Sequence, residues 1–148
     1  MLNPDFREML SCFVAAEVEF IVVGAYALAA HGYVHATSDI GLWINNSADN
    51  CQRVMGALTA FGAPTTGYTF QDLMNEGSVI QVGTEPTRVD ILSGIDGVSF
   101  NLAYPRCLVT TIESLPLYIL SKADLLANKL ASRRDKDLSD IAWLQKQL

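Results

Sequence analysis

The chain has 148 residues, 50% of them hydrophobic, and a formal net charge of −6. That length suits one domain of roughly 100–200 residues, so a single domain over 1–148 is expected, with enough apolar content for a buried core and too much for a disordered chain. The acidic balance disfavours a broad nucleic-acid-binding surface, and no apolar run reaches the about 18 residues that a membrane-spanning helix needs. The start lacks a basic region followed by a long apolar one, so the expectation is a cytoplasmic protein with no membrane contact. Cys12, Cys51 and Cys107 are far apart and odd in number, which reads as buried thiols rather than metal ligands or disulfides.

Residues 3–17 open with Asn3 as a helix N-cap and Pro4 at the first helical position. Phe6, Met9, Leu10, Phe13 and Val14 then recur at helical spacing. The apolar run Phe20-Ile21-Val22-Val23 predicts a strand, which stops at Gly24 and passes into a short helix of small residues up to His31. A glycine at a strand-to-helix junction lets the backbone approach a ligand closely, and the free N–H groups of the next helix favour a phosphate. Gly24, Ala25 and Tyr26 are therefore candidate phosphate-binding positions. His31 reads as a hydrogen-bonded core histidine rather than a catalytic one. The loop 32–38 ends in Thr37 and Ser38, whose hydroxyls have two readings, contact with a phosphate or local turn bonds.

Residues 39–44 predict a second strand. Alternation points Ile40, Leu42 and Ile44 into the core and places Asp39 and Gly41 on the opposite face, beside the helix start. A carboxylate next to a phosphate cradle suggests a metal-bound phosphate donor. Asn46 or Ser47 caps a helix to about Phe61, with Val54, Met55, Leu58 and Phe61 as its apolar stripe and Gly62 as its end. Residues 63–77 carry Pro64, two threonines and two glycines, and read as a loop with a short helical turn at 71–75. Residues 78–82 and 87–92 form a hairpin. In its second strand Val89 and Ile91 face one side, and Arg88, Asp90 and Leu92 the other. Asp90 thus sits on a strand otherwise built to be buried, and a buried carboxylate must be paired, hydrogen-bonded or on a metal.

Asp96 falls in a glycine-flanked turn and reads as turn chemistry. Residues 100–106 suggest a helical turn. Strands at 109–112 and 117–120 flank a turn at 114–116. Ser121 caps a helix over 122–132 with Leu125, Leu126 and Leu130 inward. A last helix over 135–147 puts Leu138, Ile141, Ala142 and Leu144 inward and Asp137 and Asp140 on its polar side. Strands alternating with helices, then a hairpin and closing helices, predict an α+β fold: a mixed sheet of about five strands with helices packed on it.

The run Val23, Gly24, Ala25, Ala27, Leu28, His31, Gly32, followed by Thr37, Asp39 and Ile40, resembles the nucleotidyltransferase superfamily that includes DNA polymerase beta. Its pattern is a hydrophobic strand, Gly-Gly or Gly-Ser, a helix, then Asp-hydrophobic-Asp. The resemblance is closer to small bacterial members related to abortive-infection type toxins, which read Val-Gly-Ala-x-Ala-Leu-x-x-His-Gly and then Arg-x-Thr-x-Asp-hydrophobic-Asp. This chain departs from that pattern twice: His35 stands at the arginine and Gly41 at the second aspartate. The stretch 90–100 and the pattern from Ala123 to Asp140 are also similar to that group.

The resemblance implies transfer of a nucleoside monophosphate from an NTP to an acceptor, with Mg²⁺ or Mn²⁺ as cofactor. Asp39 and Asp90 become the catalytic and metal-binding carboxylates. Lys129, with Arg133 and Lys136 behind it, faces the triphosphate, and Thr37 and Ser38 join the nucleotide site. Acceptors in keeping with the resemblance are tRNA, a protein hydroxyl or a small molecule, and an antitoxin-like partner would fit the same group. Gly41 supplies no side chain where the chemistry uses a carboxylate. Three readings follow: an impaired transferase, a degenerate relative that binds a nucleotide or a protein, and an altered form of an active parent.

Overall fold

The computed structural model describes residues 2–64 and 66–148 and arranges six strands in one sheet, in the order β3-β4-β2-β1-β6-β5. The sheet is mixed because three pairs of consecutive strands lie antiparallel, while two crossover pairs, β2 with β4 and β1 with β6, lie parallel. β1 (Phe20–Val23) lies antiparallel to β2 (Asp39–Ile44) and parallel to β6 (Leu115–Ile119). β4 (Arg88–Leu92) runs parallel to β2 and antiparallel to β3 (Val79–Val82), while β5 (Leu108–Ile112) closes the other edge against β6. Six strands stand where about five were expected, since both terminal hairpins join the one sheet.

All four residues of β1 are buried, as its unbroken apolar run requires for a central strand. α1 (Pro4–Ala15) starts where the Asn3 side chain accepts the Phe6 N–H at 2.9 Å. It buries Phe6, Met9, Leu10 and Phe13 and packs on α3 (Ala48–Phe61). Ser47 caps α3, and Gly62 ends it in the left-handed conformation at φ 90°. α2 (Gly24–Ala30) buries Ala27 and Leu28, and His31 Nε2 donates to the Leu120 carbonyl at 2.8 Å. α4 (Phe70–Met74) opens with a capping box between Thr69 and Asp72. Thr65 of that loop lies outside the described residues.

The C-terminal third departs from expectation in three places. The β5–β6 turn sits at Glu113 and Ser114, both with positive φ, 49° and 72°. Two such residues twist as a tight hairpin requires, so Leu115 already pairs with Ile112 and Pro116 is inside the strand. After α5 (Phe100–Ala103) and α6 (Lys122–Ser132), a 3-10 turn at Asp135–Asp137 precedes α7 (Leu138–Gln147). The tighter turn changes the phase of α7. Leu138 is 65% exposed and Ala142 is exposed, while Asp140 and Leu144 are buried. Leu130 of α6, expected inward, is 49% exposed. Trp143 packs on the core's edge, stacked on Tyr33 at 4.9 Å between ring centroids.

The turn after β4 fixes α6 over the sheet. Asn128 donates to the Asp96 carbonyl at 3.0 Å. Gly97 has φ 76°, and a Cβ there would lie 2.6 Å from the Ala131 Cβ. Gly97→Ala therefore combines backbone strain with a collision and should destabilise the fold by about 1–3 kcal/mol, read as a lower urea midpoint with an unchanged slope.

Candidate functional site

β2 and β4 meet in parallel register with Asp39 opposite Arg88 and Gly41 opposite Asp90. Strand alternation buries Ile40, Leu42, Val89 and Ile91 on one face. Asp39, Gly41, Arg88 and Asp90 share the other, so the two carboxylates expected to act together converge. Between them lies the Arg88 guanidinium. Its Nε donates to Asp90 Oδ1 at 2.9 Å, and its Nη2 reaches Asp90 Oδ2 at 3.2 Å and Asp39 Oδ2 at 2.5 Å. The fourth carboxylate oxygen, Asp39 Oδ1, accepts the Thr37 hydroxyl at 3.1 Å. Glu85 adds a longer contact to Nη1 at 3.4 Å. The hydrogen bond to Asp90 raises the Arg88 pKa, opposed by partial burial and reinforced by the charges of Asp90, Asp39 and Glu85.

Gly24 joins β1 to α2 with φ 71°, a conformation that glycine adopts without strain. No side chain caps α2, so its first N–H groups are free of such a partner. Val23, the last residue of β1, pairs with Gly41 of β2. A Cβ built at Gly41 would lie 2.9 Å from Val23 Cγ2 and 3.7 Å from Leu92 Cδ1. The place of a side chain at position 41 is thus taken by the Val23 methyl.

These elements floor a cleft of about 930 Å³. Gly24, Ala25, Thr37, Ser38, Asp39 and Asp90 line it together. α6, α7 and the turn between them form the far wall. There Lys129 is 6% exposed and bonds Asp137 at 3.1 Å and Asp140 at 3.2 Å. Arg134 Nε donates to Asp137 Oδ2 at 2.8 Å. Burial pushes the Asp137 carboxyl up, but the hydrogen bonds and charges of Lys129 and Arg134 outweigh it and hold it below the usual range. Asp137 and Asp140, expected on the polar side of the last helix, are buried partners of Lys129. His35 Nε2 lies 3.6 Å from Asp140 Oδ1.

Tyr26 and Arg133 are not brought to the cleft. The Tyr26 ring packs edge-on to Phe6 at 5.5 Å, and Arg133 ends α6 in the left-handed conformation, exposed. Arg134 and Lys136 line the cleft in its place. Arg88 is the residue that sequence reasoning passed over, although its alternation with Asp90 already placed it on the shared face.

The donor set does not fit a two-ion centre. Two carboxylates are present, all four of their oxygens have donors, and position 41 offers only a methyl contact from Val23. Among the described residues no group of three or more His, Cys, Asp or Glu side chains is arranged to hold a metal ion.

Over 99% of this chain and 96% of the other, the structure resembles a crystal structure described as a putative nucleotidyltransferase from Thermotoga maritima, with a TM-score of 0.61 and 14% sequence identity. The fold is nucleotidyltransferase-like. No family model and no curated protein matches the chain. Within the described residues, no helix is long and apolar enough to cross a membrane. In this nucleotidyltransferase-like fold the cleft lies where β1 meets α2 and where β2 and β4 present their polar face.

The Asp137 contacts carry a pH signature. A carboxyl with a depressed folded pKa binds its proton less readily in the folded state. Its contribution is complete above the unfolded value of about 3.9 and fades as pH falls through the folded value. The urea midpoint should drop below about pH 4, and in Asp137→Asn that part of the pH dependence should be missing. Lys129→Met leaves two buried carboxylates facing one another and should cost about 3–5 kcal/mol, measured by urea unfolding at neutral pH.

Proposed function

We propose that the cleft binds a nucleoside triphosphate, its phosphates against Gly24 and Ala25 at the start of α2 with Thr37 and Ser38 alongside, in a nucleotidyltransferase-fold protein whose transfer chemistry is impaired. The single observation behind this reading is that Asp39 and Asp90 share one polar face with the free start of α2, in one cleft. Arg134 and Lys136 supply cationic groups on the far wall, beside Lys129. Lys129 is held by Asp137 and Asp140, so on this reading it shapes the wall.

Transfer of a nucleoside monophosphate requires an acceptor oxygen to attack the α-phosphorus. The bond to the bridging oxygen breaks, pyrophosphate leaves with the electron pair, and the acceptor's proton passes to a base. Asp90 is the carboxylate we assign to that proton. Charge grows on the phosphoryl oxygens, and Gly41 contributes nothing to managing it. Losing one such transition-state interaction costs on the order of 10²–10³ in rate, about 3–4 kcal/mol. Binding survives the lack of a carboxylate at position 41 better than chemistry does, which favours nucleotide binding as the main activity.

Calorimetry with ATP, GTP, CTP and UTP tests the binding. At least one should bind the wild type, and Ala25→Asp, which sets a like charge against the phosphates, should abolish the heat while the circular dichroism is unchanged. Failure of every nucleotide to bind the wild type contradicts the reading. Transfer from radiolabelled NTP in buffer with Mg²⁺ or Mn²⁺ tests the impairment. Gly41→Asp combined with Val23→Ala, which makes room for the new side chain, should raise transfer on the order of 10²-fold. Equal rates in both proteins would mean that position 41 does not limit the reaction.

A further inference from the structure

Two carboxylates that share a strand face repel each other and need a cation. In this fold the cation already belongs to the chain. Arg88 engages three of the four carboxylate oxygens of Asp39 and Asp90, and the Thr37 hydroxyl takes the last. The Asp90 contact is a fork, with Nε and Nη2 on separate oxygens. Forked guanidinium–carboxylate pairs are among the stronger and more directional ion pairs. The register of β2 on β4 sets Asp39 opposite Arg88, and alternation sets Asp90 two residues along on the same face, so all three groups are fixed to the sheet backbone. The side chains of Arg88 and Asp90 are 24% and 19% exposed.

We infer that Arg88 is a tethered counter-cation that takes the place of a divalent ion between Asp39 and Asp90, so that this pair binds neither Mg²⁺ nor Mn²⁺. A guanidinium stays charged across the working pH range and cannot leave by deprotonation. Attached to the same strand as Asp90, it acts at a high effective concentration that free Mg²⁺ must overcome. Magnesium also sheds its water reluctantly and demands octahedral oxygen geometry, and two carboxylates without a third ligand at Gly41 reward it poorly. A Cβ at position 41 would lie 2.9 Å from Val23 Cγ2, so a third ligand there would also need Val23 to move. Resting on the nucleotide reading above, a second consequence is that a triphosphate enters the cleft without needing a metal between the two carboxylates.

Titration of the full chain with Mn²⁺, followed by electron paramagnetic resonance, tests Arg88 directly. The wild type should take up no Mn²⁺ at this pair. Arg88→Met should gain one site, at least about tenfold tighter, and Asp90→Asn added to Arg88→Met should remove it. Stoichiometric Mn²⁺ binding by the wild type that is lost in Asp90→Asn overturns the inference, as does a folded Arg88→Met that gains nothing. If Arg88→Met does not fold, the wild type against Asp90→Asn decides alone: equal, negligible uptake supports the inference, and uptake lost in Asp90→Asn overturns it. ATP calorimetry in EDTA and in excess Mg²⁺ tests the second consequence. Affinities within about twofold support it, and binding that requires Mg²⁺ overturns it. Absence of ATP binding in both buffers strikes the nucleotide reading alone, because the Mn²⁺ titration reads Arg88 without a nucleotide.

Discussion

The contact on which the site depends is the Arg88 guanidinium between Asp39 and Asp90. Without it, the polar face of two adjacent parallel strands would carry two carboxylates and no positive charge. Their exposure is partial, so the charges are neither fully screened by water nor deeply desolvated. In that regime an ion pair owes its strength to geometry, and the forked contact to Asp90 supplies it. The same contact ties β4 to β2 by side chains where the backbone ladder already joins them. Arg88 lines the cleft together with both carboxylates.

The far wall repeats the device with a different cation. Lys129 lies between Asp137 and Asp140 as Arg88 lies between Asp39 and Asp90. Lys129 is buried and Arg88 is not, so the two do different work. The lysine joins α6 to α7 and the turn before it, where removal of either sign leaves a buried charge without a partner. The arginine faces the open cleft. Across both walls most of the charge is already paired. Beside these pairs the cleft is lined by the start of α2, whose junction glycine has a positive φ, and by Lys136, while Arg134 is held by Asp137.

Much of this was legible in the residues because strand periodicity is short-range. The run from Phe20 to Val23, the stop at Gly24 and the alternation through residues 39–44 and 88–92 put Asp39 and Asp90 each on the polar side of its own strand before any tertiary information is used. Caps at Asn3, Ser47 and Ser121 fixed three helix starts for the same local reason. Non-local facts were not legible. Pairing of Arg88 with Asp39 depends on parallel register between strands far apart in the chain. Crowding of position 41 by Val23 depends on the antiparallel partner strand. Helical periodicity read from residue 135 onward failed because a 3-10 turn at Asp135–Asp137 shifted the phase of α7, turning Leu138 out and Asp140 in. Pro116 suggested a turn, yet Glu113 and Ser114 make it.

Asp39 and Asp90 are joined by Arg88 on the cleft face, and the phosphate site we propose at the start of α2 lies beside them. The most direct measurement is anomalous diffraction from a crystal soaked with ATP and Mn²⁺. The expected result is a triphosphate against Gly24 and Ala25, Arg88 still between the two carboxylates, and no manganese peak within coordination distance of either. A manganese ion bound by both Asp39 and Asp90, with Arg88 displaced, would contradict it.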